Sequence, residues 1–294
     1  MTGATMGART VLRRVPATAV SEGAGVLVHR SLGTPALRHL DPFLMLDHFA
    51  SADPDDYIAG FPDHPHRGFV TLTYMLDGHM EHRDSMGNRG DLRAGGIQWM
   101  KAASGVIHSE MPRQVDGLMR GFQLWINLPA AQKMSDPAYL EVPAEGIPEL
   151  KHGDAEVRLI SGSLGGAQGP IDDPHTELLY IDVRLPAGGR VHLPVPTGHA
   201  AFLYAFEGRP EVAGEPVDTH QLALLGEGAG FEAAAPSEAA RFILVAGRPL
   251  REPIVQQGPF VMSTREEIEQ AIRDYRDGRL VRTAARVTGA TASP

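Results

Sequence analysis

Glycine and proline recur at short intervals along the whole chain, 33 and 23 of them in 294 residues. The apolar residues between them fall into short alternating runs, the pattern of an all-β sandwich or barrel. The clearest unit spans Phe69 to His82, FVTLTYML-DG-HMEH. Asp77-Gly78 between two alternating runs predicts a two-residue hairpin, because a type I′ turn needs positive φ at both central positions. Val70, Leu72, Tyr74 and Leu76 share one face of the first run, and Thr71 and Thr73 take the other. Arg120 to Leu128 reads as another strand, with Phe122, Leu124, Ile126 and Leu128 on one face. From Pro129 to Pro148 periodicity fades, which predicts a connecting segment over the surface.

The length suggests two domains or one duplicated domain, at roughly 150 residues each. The second half does echo the first. Leu203 to Arg209 repeats Thr73 to His79 at an offset of 130, which sets Gly198 on Gly68 and Pro194-Val195-Pro196 on His64-Pro65-His66. Phe242 to Val245 resembles Phe122 to Trp125 at an offset of 120. The strand plan is repeated while the histidines are not. His192 and His199 flank the gap without matching either histidine position, and read as surface or pocket-rim residues.

The histidines of the first half carry the chemical signal. His64-Pro65-His66 and His108-Ser109-Glu110 are two i, i+2 pairs of potential metal ligands. In a strand, residues two apart point to the same side. Two neighbouring strands could thus aim three imidazoles and one carboxylate at one point. That donor set suits a first-row divalent metal such as iron, nickel, cobalt or manganese, with positions open to water or substrate. A thiolate site is excluded, since the chain has no cysteine. His64 and His66 share parity with Val70, Leu72, Tyr74 and Leu76, so an unbroken strand would place them at the end of the core-facing stripe.

The formal charge of −9 argues against direct binding of nucleic acid, which needs a basic footprint. The first twenty residues hold no apolar core of a signal peptide, and no stretch approaches the ~18 apolar residues of a membrane helix. A cytoplasmic protein is the expectation. One helix is predicted near the end, where Ser263 and Thr264 each precede a glutamate by three residues, the capping-box spacing. Ile268, Ala271, Ile272 and Tyr275 mark its apolar face, its glutamates and arginines should be solvated, and Gly278 should end it. The tail from Thr283 is predicted to be disordered.

GFPDHPHRGF (60–69), LDGHMEHRDSMGNRGDL (76–92), IQWMKAASGVIHSEMP (97–112) and FVMSTREEIEQAIRDYRDG (260–278) resemble the pirin family of bicupins, and DPFLMLDHF (41–49) and GFQLWINLP (121–129) fit it too. The resemblance implies two stacked cupin-type β-barrels and a short C-terminal helix. It implies a metal-binding barrel over residues 1–135, with 1–20 flexible, a metal-free barrel over 150–262, and a helix and tail over 263–294. Carried over by motif, the metal ligands are His64, His66, His108 and Glu110. The cofactor would be one divalent transition metal, iron foremost, with nickel, cobalt, manganese, copper or zinc as alternatives. General cupins carry a glutamate shortly after the HxH pair, where this chain has Val70 and Thr71; Glu110 then supplies the carboxylate. Similar proteins fall into two classes. Some are quercetin 2,3-dioxygenases that open a flavonol ring with O2, for which Glu110 would be the general base. Others are metal-dependent regulators that bind a transcription factor or a metabolic enzyme.

Overall fold

The computed structural model describes residues 7–282. The chain is mostly β-strand, arranged as two barrels with one α-helix, Arg265–Arg276. Each barrel pairs a seven-stranded wall with a four-stranded one. In the first, the large wall runs Ala138–Val142, Ile97–Lys101, Phe69–Asp77, Met119–Asn127, Phe43–Ser51, Val26–Leu32 and Thr18–Glu22 in spatial order. The second repeats this as Val11–Pro16, Gln221–Leu225, Ala200–Glu207, Ala240–Gly247, Leu179–Leu185, Ala155–Ser161 and Glu149–His152. The small walls are Phe61–His66, Val106–Pro112, His79–Asp84 and Arg89–Arg93 in the first barrel, and Arg190–Pro194, Gly230–Ala234, Glu211–Val212 and Glu215–Pro216 in the second.

The chain's beginning belongs to the far barrel. Residues 1–20 are expected to be flexible, yet Val11–Pro16 and Thr18–Glu22 form strands. Val11–Pro16 pairs antiparallel with Gln221–Leu225 and so completes the second barrel. The corresponding place in the first barrel goes to Ala138–Val142, beyond the expected boundary at 135, which pairs with Ile97–Lys101. The segment after Pro129 is therefore no plain surface connection, and Lys133 within it is 1% exposed. An uncovered strand edge offers unpaired amides and carbonyls, and these edge strands satisfy them. Thr264 caps the helix through the expected box with Glu267. The helix glutamates and arginines are exposed, as expected, while Asp274 is buried in an ion pair with Arg67 at 2.8 Å. The tail expected to be disordered from Thr283 lies outside the described residues.

Both faces of the large walls are buried, and this corrects three readings of periodicity. Val70, Leu72, Tyr74 and Leu76 pack against Phe202, Tyr204, Ile243 and Val245 of the other barrel, while Thr71 and Thr73 turn into their own barrel. The histidine pair does not extend the apolar stripe: Gly68, at φ +91°, breaks the chain between Phe61–His66 in the small wall and Phe69–Asp77 in the large one. Asp77-Gly78 is likewise a corner between walls, since the strands it joins pair with other partners and not with each other. Pairing also shifts the second repeat offset from 120 to 121. Leu72 lies opposite Leu124, and Phe202, 130 residues on, lies opposite Val245. A slip of one residue moves each side chain to the other face. Gln123 therefore corresponds to Leu244, and Trp125 to Ala246.

A buried polar tie crosses the apolar seam between the barrels. The Tyr74 hydroxyl donates to Asp182 Oδ2 at 2.7 Å, and Arg241 holds the same carboxylate at 2.7 and 3.0 Å. Asp182 is fully enclosed, so removing it leaves the guanidinium of Arg241 in the seam with only the part-exposed Glu207, at 3.6 Å. Asp182→Ala is expected to lower chemical-denaturation stability by about 3–5 kcal/mol, and Tyr74→Phe by about 1 kcal/mol.

Candidate metal centre

Three adjacent strands of the first barrel's small wall each carry a polar i, i+2 pair. Val106–Pro112 lies in the middle with His108 and Glu110. On one side His64 stands directly across from His108. On the other, Asp84 faces His108 and His82 faces Glu110. A register shift against Phe61–His66 falls between His108 and Glu110. The strand period of two then turns the pairs toward a common interior. The sequence reading named two of the pairs and missed His82-Arg83-Asp84, although its spacing is the same.

Two groups of ligand atoms converge to within 4.8 Å: His64, His66 and His108, and, overlapping them, His82, His108 and Glu110. The expected set is therefore split. Three imidazoles meet, while Glu110 stands nearer His82 than the first histidine pair. Hydrogen bonding distinguishes the groups. His64 Nδ1 donates to the Pro62 carbonyl at 2.8 Å, which leaves Nε2 its lone pair. Buried Nδ1 of His66 and Nε2 of His108 have no hydrogen-bond partner. Buried polar atoms are rarely left so, and each calls for a reason. In contrast, His82 is committed at both nitrogens, Nδ1 at 2.7 Å from Gln98 Nε2 and Nε2 at 3.2 Å from Asp84 Oδ2. The first group fits a metal ion through its unpartnered nitrogens; the second behaves as a hydrogen-bonded support.

Electrostatics favours the same use. Burial foremost, then neighbouring imidazoles, holds His66 and His108 well below the usual histidine range. Neutral imidazole is the form that ligates. Glu110 is fully buried and accepts from Gln123 Nε2 at 2.9 Å. Thr73 Oγ1 lies 3.4 Å from its other oxygen, and Gln123 is itself fixed by Trp125 Nε1 at 3.2 Å. None of Thr73, Gln98 and Gln123 carries a motif; only their interior parity could have exposed them.

His64 and His66 open onto a cavity of about 720 Å³ whose walls include Phe61, Met45, Gln123 and Trp125. Its volume falls within the usual small-molecule range of about 300–1,000 Å³. Trp125 meets His66 edge-on with centroids 5.2 Å apart and lies against Phe69 at 4.2 Å. A larger cavity of about 870 Å³ occupies the second barrel, lined by Pro194, Pro196 and His199 where the first has its histidines. His199 is buried there, and His192 is an exposed partner of Glu232. Among the described residues, both convergent groups lie in the first barrel.

The chain matches the Pirin family over residues 25–126 and the Pirin C-terminal cupin domain over residues 180–281. It is 53% identical over 279 residues to a Pseudomonas aeruginosa protein named putative quercetin 2,3-dioxygenase, covering 92% of this chain and 97% of that one. It is 42% identical over 265 residues to human pirin, covering 88% and 89%. The crystal structure of a quercetin 2,3-dioxygenase from Acinetobacter baumannii superposes with a TM-score of 0.87 at 32% identity, over 94% of this chain and all of the other.

The convergence predicts that His66→Ala and His108→Ala lose most of the bound transition metal, while His192→Ala keeps it. Elemental analysis of protein purified without chelator measures this, and wild-type stoichiometry in the first two variants would refute it.

Proposed function

The chain belongs to the pirin family, and from that premise we propose that it is a metal-dependent flavonol 2,3-dioxygenase with its centre in the first barrel. The observation that carries the reading is the meeting of His64, His66 and His108 through partner-free nitrogens at an aromatic-walled cavity. The names of the Pseudomonas and Acinetobacter relatives point to the same reaction class. In this reading the three imidazoles are ligands, with Glu110 as the fourth when its carboxylate turns toward them. A bound divalent ion, iron in our reading, would supply a Lewis acid for the substrate oxygen and redox access to O2.

The chain's own residues do the rest. Phe61 and Trp125 offer flat walls to a planar ring system. Glu110 takes the proton of the substrate hydroxyl. Gln123 occupies one of its oxygens, and the other has only the 3.4 Å contact with Thr73, which leaves it room to accept. Burial of Glu110 and of the two inner histidines keeps bulk water from competing for that proton.

Protein loaded in turn with iron, nickel, cobalt and manganese should consume a flavonol aerobically faster than the free ions do. Failure with all four would refute the dioxygenase reading and leave the regulator that binds a transcription factor or metabolic enzyme. Glu110→Gln is expected to keep most of the metal, because three imidazoles remain, and to lose about 10²- to 10⁴-fold in turnover, the usual share of general-base catalysis. Parallel metal content and rate constants separate the two effects.

A further inference from the structure

The candidate ligand His108 has no hydrogen-bond partner at Nε2, while its Nδ1 lies 3.4 Å from Nδ1 of His82. His82 has no exposed surface, and Tyr139 stacks on its ring at 4.6 Å and 21°. Its Nε2 lies 3.2 Å from Asp84 Oδ2, and the Asp84 side chain is fully enclosed. That carboxylate is fixed in turn: Oδ1 accepts from the Met86 and Asn88 amides at 2.9 and 3.0 Å, and Oδ2 from Asn88 Nδ2 at 2.9 Å.

Proton direction follows from these contacts. An ionised carboxylate only accepts, so His82 Nε2 carries the hydrogen and His82 Nδ1 keeps the lone pair. Gln98 Nε2, at 2.7 Å, is a donor to that lone pair and agrees with this tautomer. His108 Nδ1 approaches the same lone pair and can meet it only as N–H. With its hydrogen on Nδ1, His108 must present a lone pair at Nε2, the nitrogen with no other partner. Ligating histidines generally have the second nitrogen held in this manner, which sets both tautomer and ring orientation.

We infer that Asp84 and His82 form a positioning relay that fixes the tautomer and aim of His108 toward the metal, an inference that rests on reading His108 as a ligand. Neither His82 nor Asp84 lines the cavity, and both nitrogens of His82 are already engaged, so the relay would act through His108. Asp84→Asn is the decisive variant. The asparagine oxygen can still cap the Met86 and Asn88 amides, while its NH2 group would donate to His82 Nε2. The hydrogen of His82 is then forced onto Nδ1, where it opposes the N–H of His108. His82→Leu removes the acceptor altogether. His82→Gln restores one, through its amide oxygen.

The test uses the full-length protein with cobalt(II) and a competing chelating dye. Asp84→Asn and His82→Leu should each weaken cobalt affinity about 10- to 100-fold, the usual effect of losing such a partner, and shift the visible cobalt spectrum. His82→Gln should return both readouts toward wild type, with metal-free thermal unfolding similar in Asp84→Asn and wild type. Wild-type affinity and spectrum in Asp84→Asn overturn the relay, even if His82→Leu fails to fold. Full cobalt binding by His108→Ala would instead remove the ligand assignment beneath it, so the two failures are told apart.

Discussion

A buried guanidinium ties the candidate centre to the rest of the chain. Arg67 directly follows the histidine pair and is 1% exposed. It donates to the Ser104 carbonyl at 2.7 Å, to Asp274 of the helix at 2.8 Å and to the Leu280 carbonyl at 3.3 Å. The Ser104 contact pins the turn that leads into His108, and the other two hold the helix and the Leu280 segment beside it. One residue later Gly68 is forced: a Cβ there would sit 1.9 Å from the Val261 carbonyl. Lys133 reaches the Gly68 and Val261 carbonyls and the Asn127 side chain, and burial draws its pKa down to about 8. Two buried cations are costly unless each is well paired. Their retention here fits a demand for fixed geometry where both ligand strands begin or end. Since Val11–Pro16 crosses to the second barrel and the helix crosses to the first, neither barrel is a separable unit.

The repeat shows what a metal centre requires beyond its ligands. In the first barrel Gln98, Thr73 and Gln123 stand side by side on three strands and face inward. The equivalent row in the second barrel is Ala223, Leu203 and Leu244, all within its apolar interior. With Leu193 and Val195 packed into it as well, that interior gains transfer free energy and needs no hydrogen-bond partners. The first barrel gives up such burial for a polar row, which holds Glu110 through Gln123 and His82 through Gln98. Loss of the histidines and loss of the polar support thus go together, because buried polar groups without a network would only destabilise.

Much of this was legible in the sequence. Two i, i+2 pairs of potential ligands, the capping box and the alternation of individual strands follow from local periods; the structure has the box, and it brings together His64, His66 and His108 with Glu110 set apart. Periodicity fails where both faces of a strand are buried. The stripe from Val70 to Leu76 looked like a barrel interior because apolar residues suit either side of such a wall, and the true interior face is the one with Thr71 and Thr73. Turn chemistry failed at Asp77-Gly78 because positive φ serves a corner as well as a hairpin. The exchanged strand Val11–Pro16 depends on a partner more than 200 residues away, for which a local pattern holds no signal. His82 was missed for a different cause: it forms no HxH triplet, and its relation to His108 exists only across paired strands.

The same cross-strand logic links the cavity wall to the buried carboxylate. Trp125 presents its ring to the cavity and its Nε1 to Gln123, whose other amide atom donates to Glu110. An amide can satisfy both neighbours in only one orientation, with oxygen toward the indole N–H and nitrogen toward the carboxylate. The aromatic wall that would contact a ligand therefore dictates which way Gln123 points. Gln123 in turn engages one Glu110 oxygen and leaves the other toward Thr73. Substituting the tryptophan by an apolar ring would keep the wall and free the amide to turn, and a turned amide would set its oxygen against the carboxylate. The wall and the buried carboxylate are thus one hydrogen-bonded unit, set by two residues of a single strand whose side chains share a face.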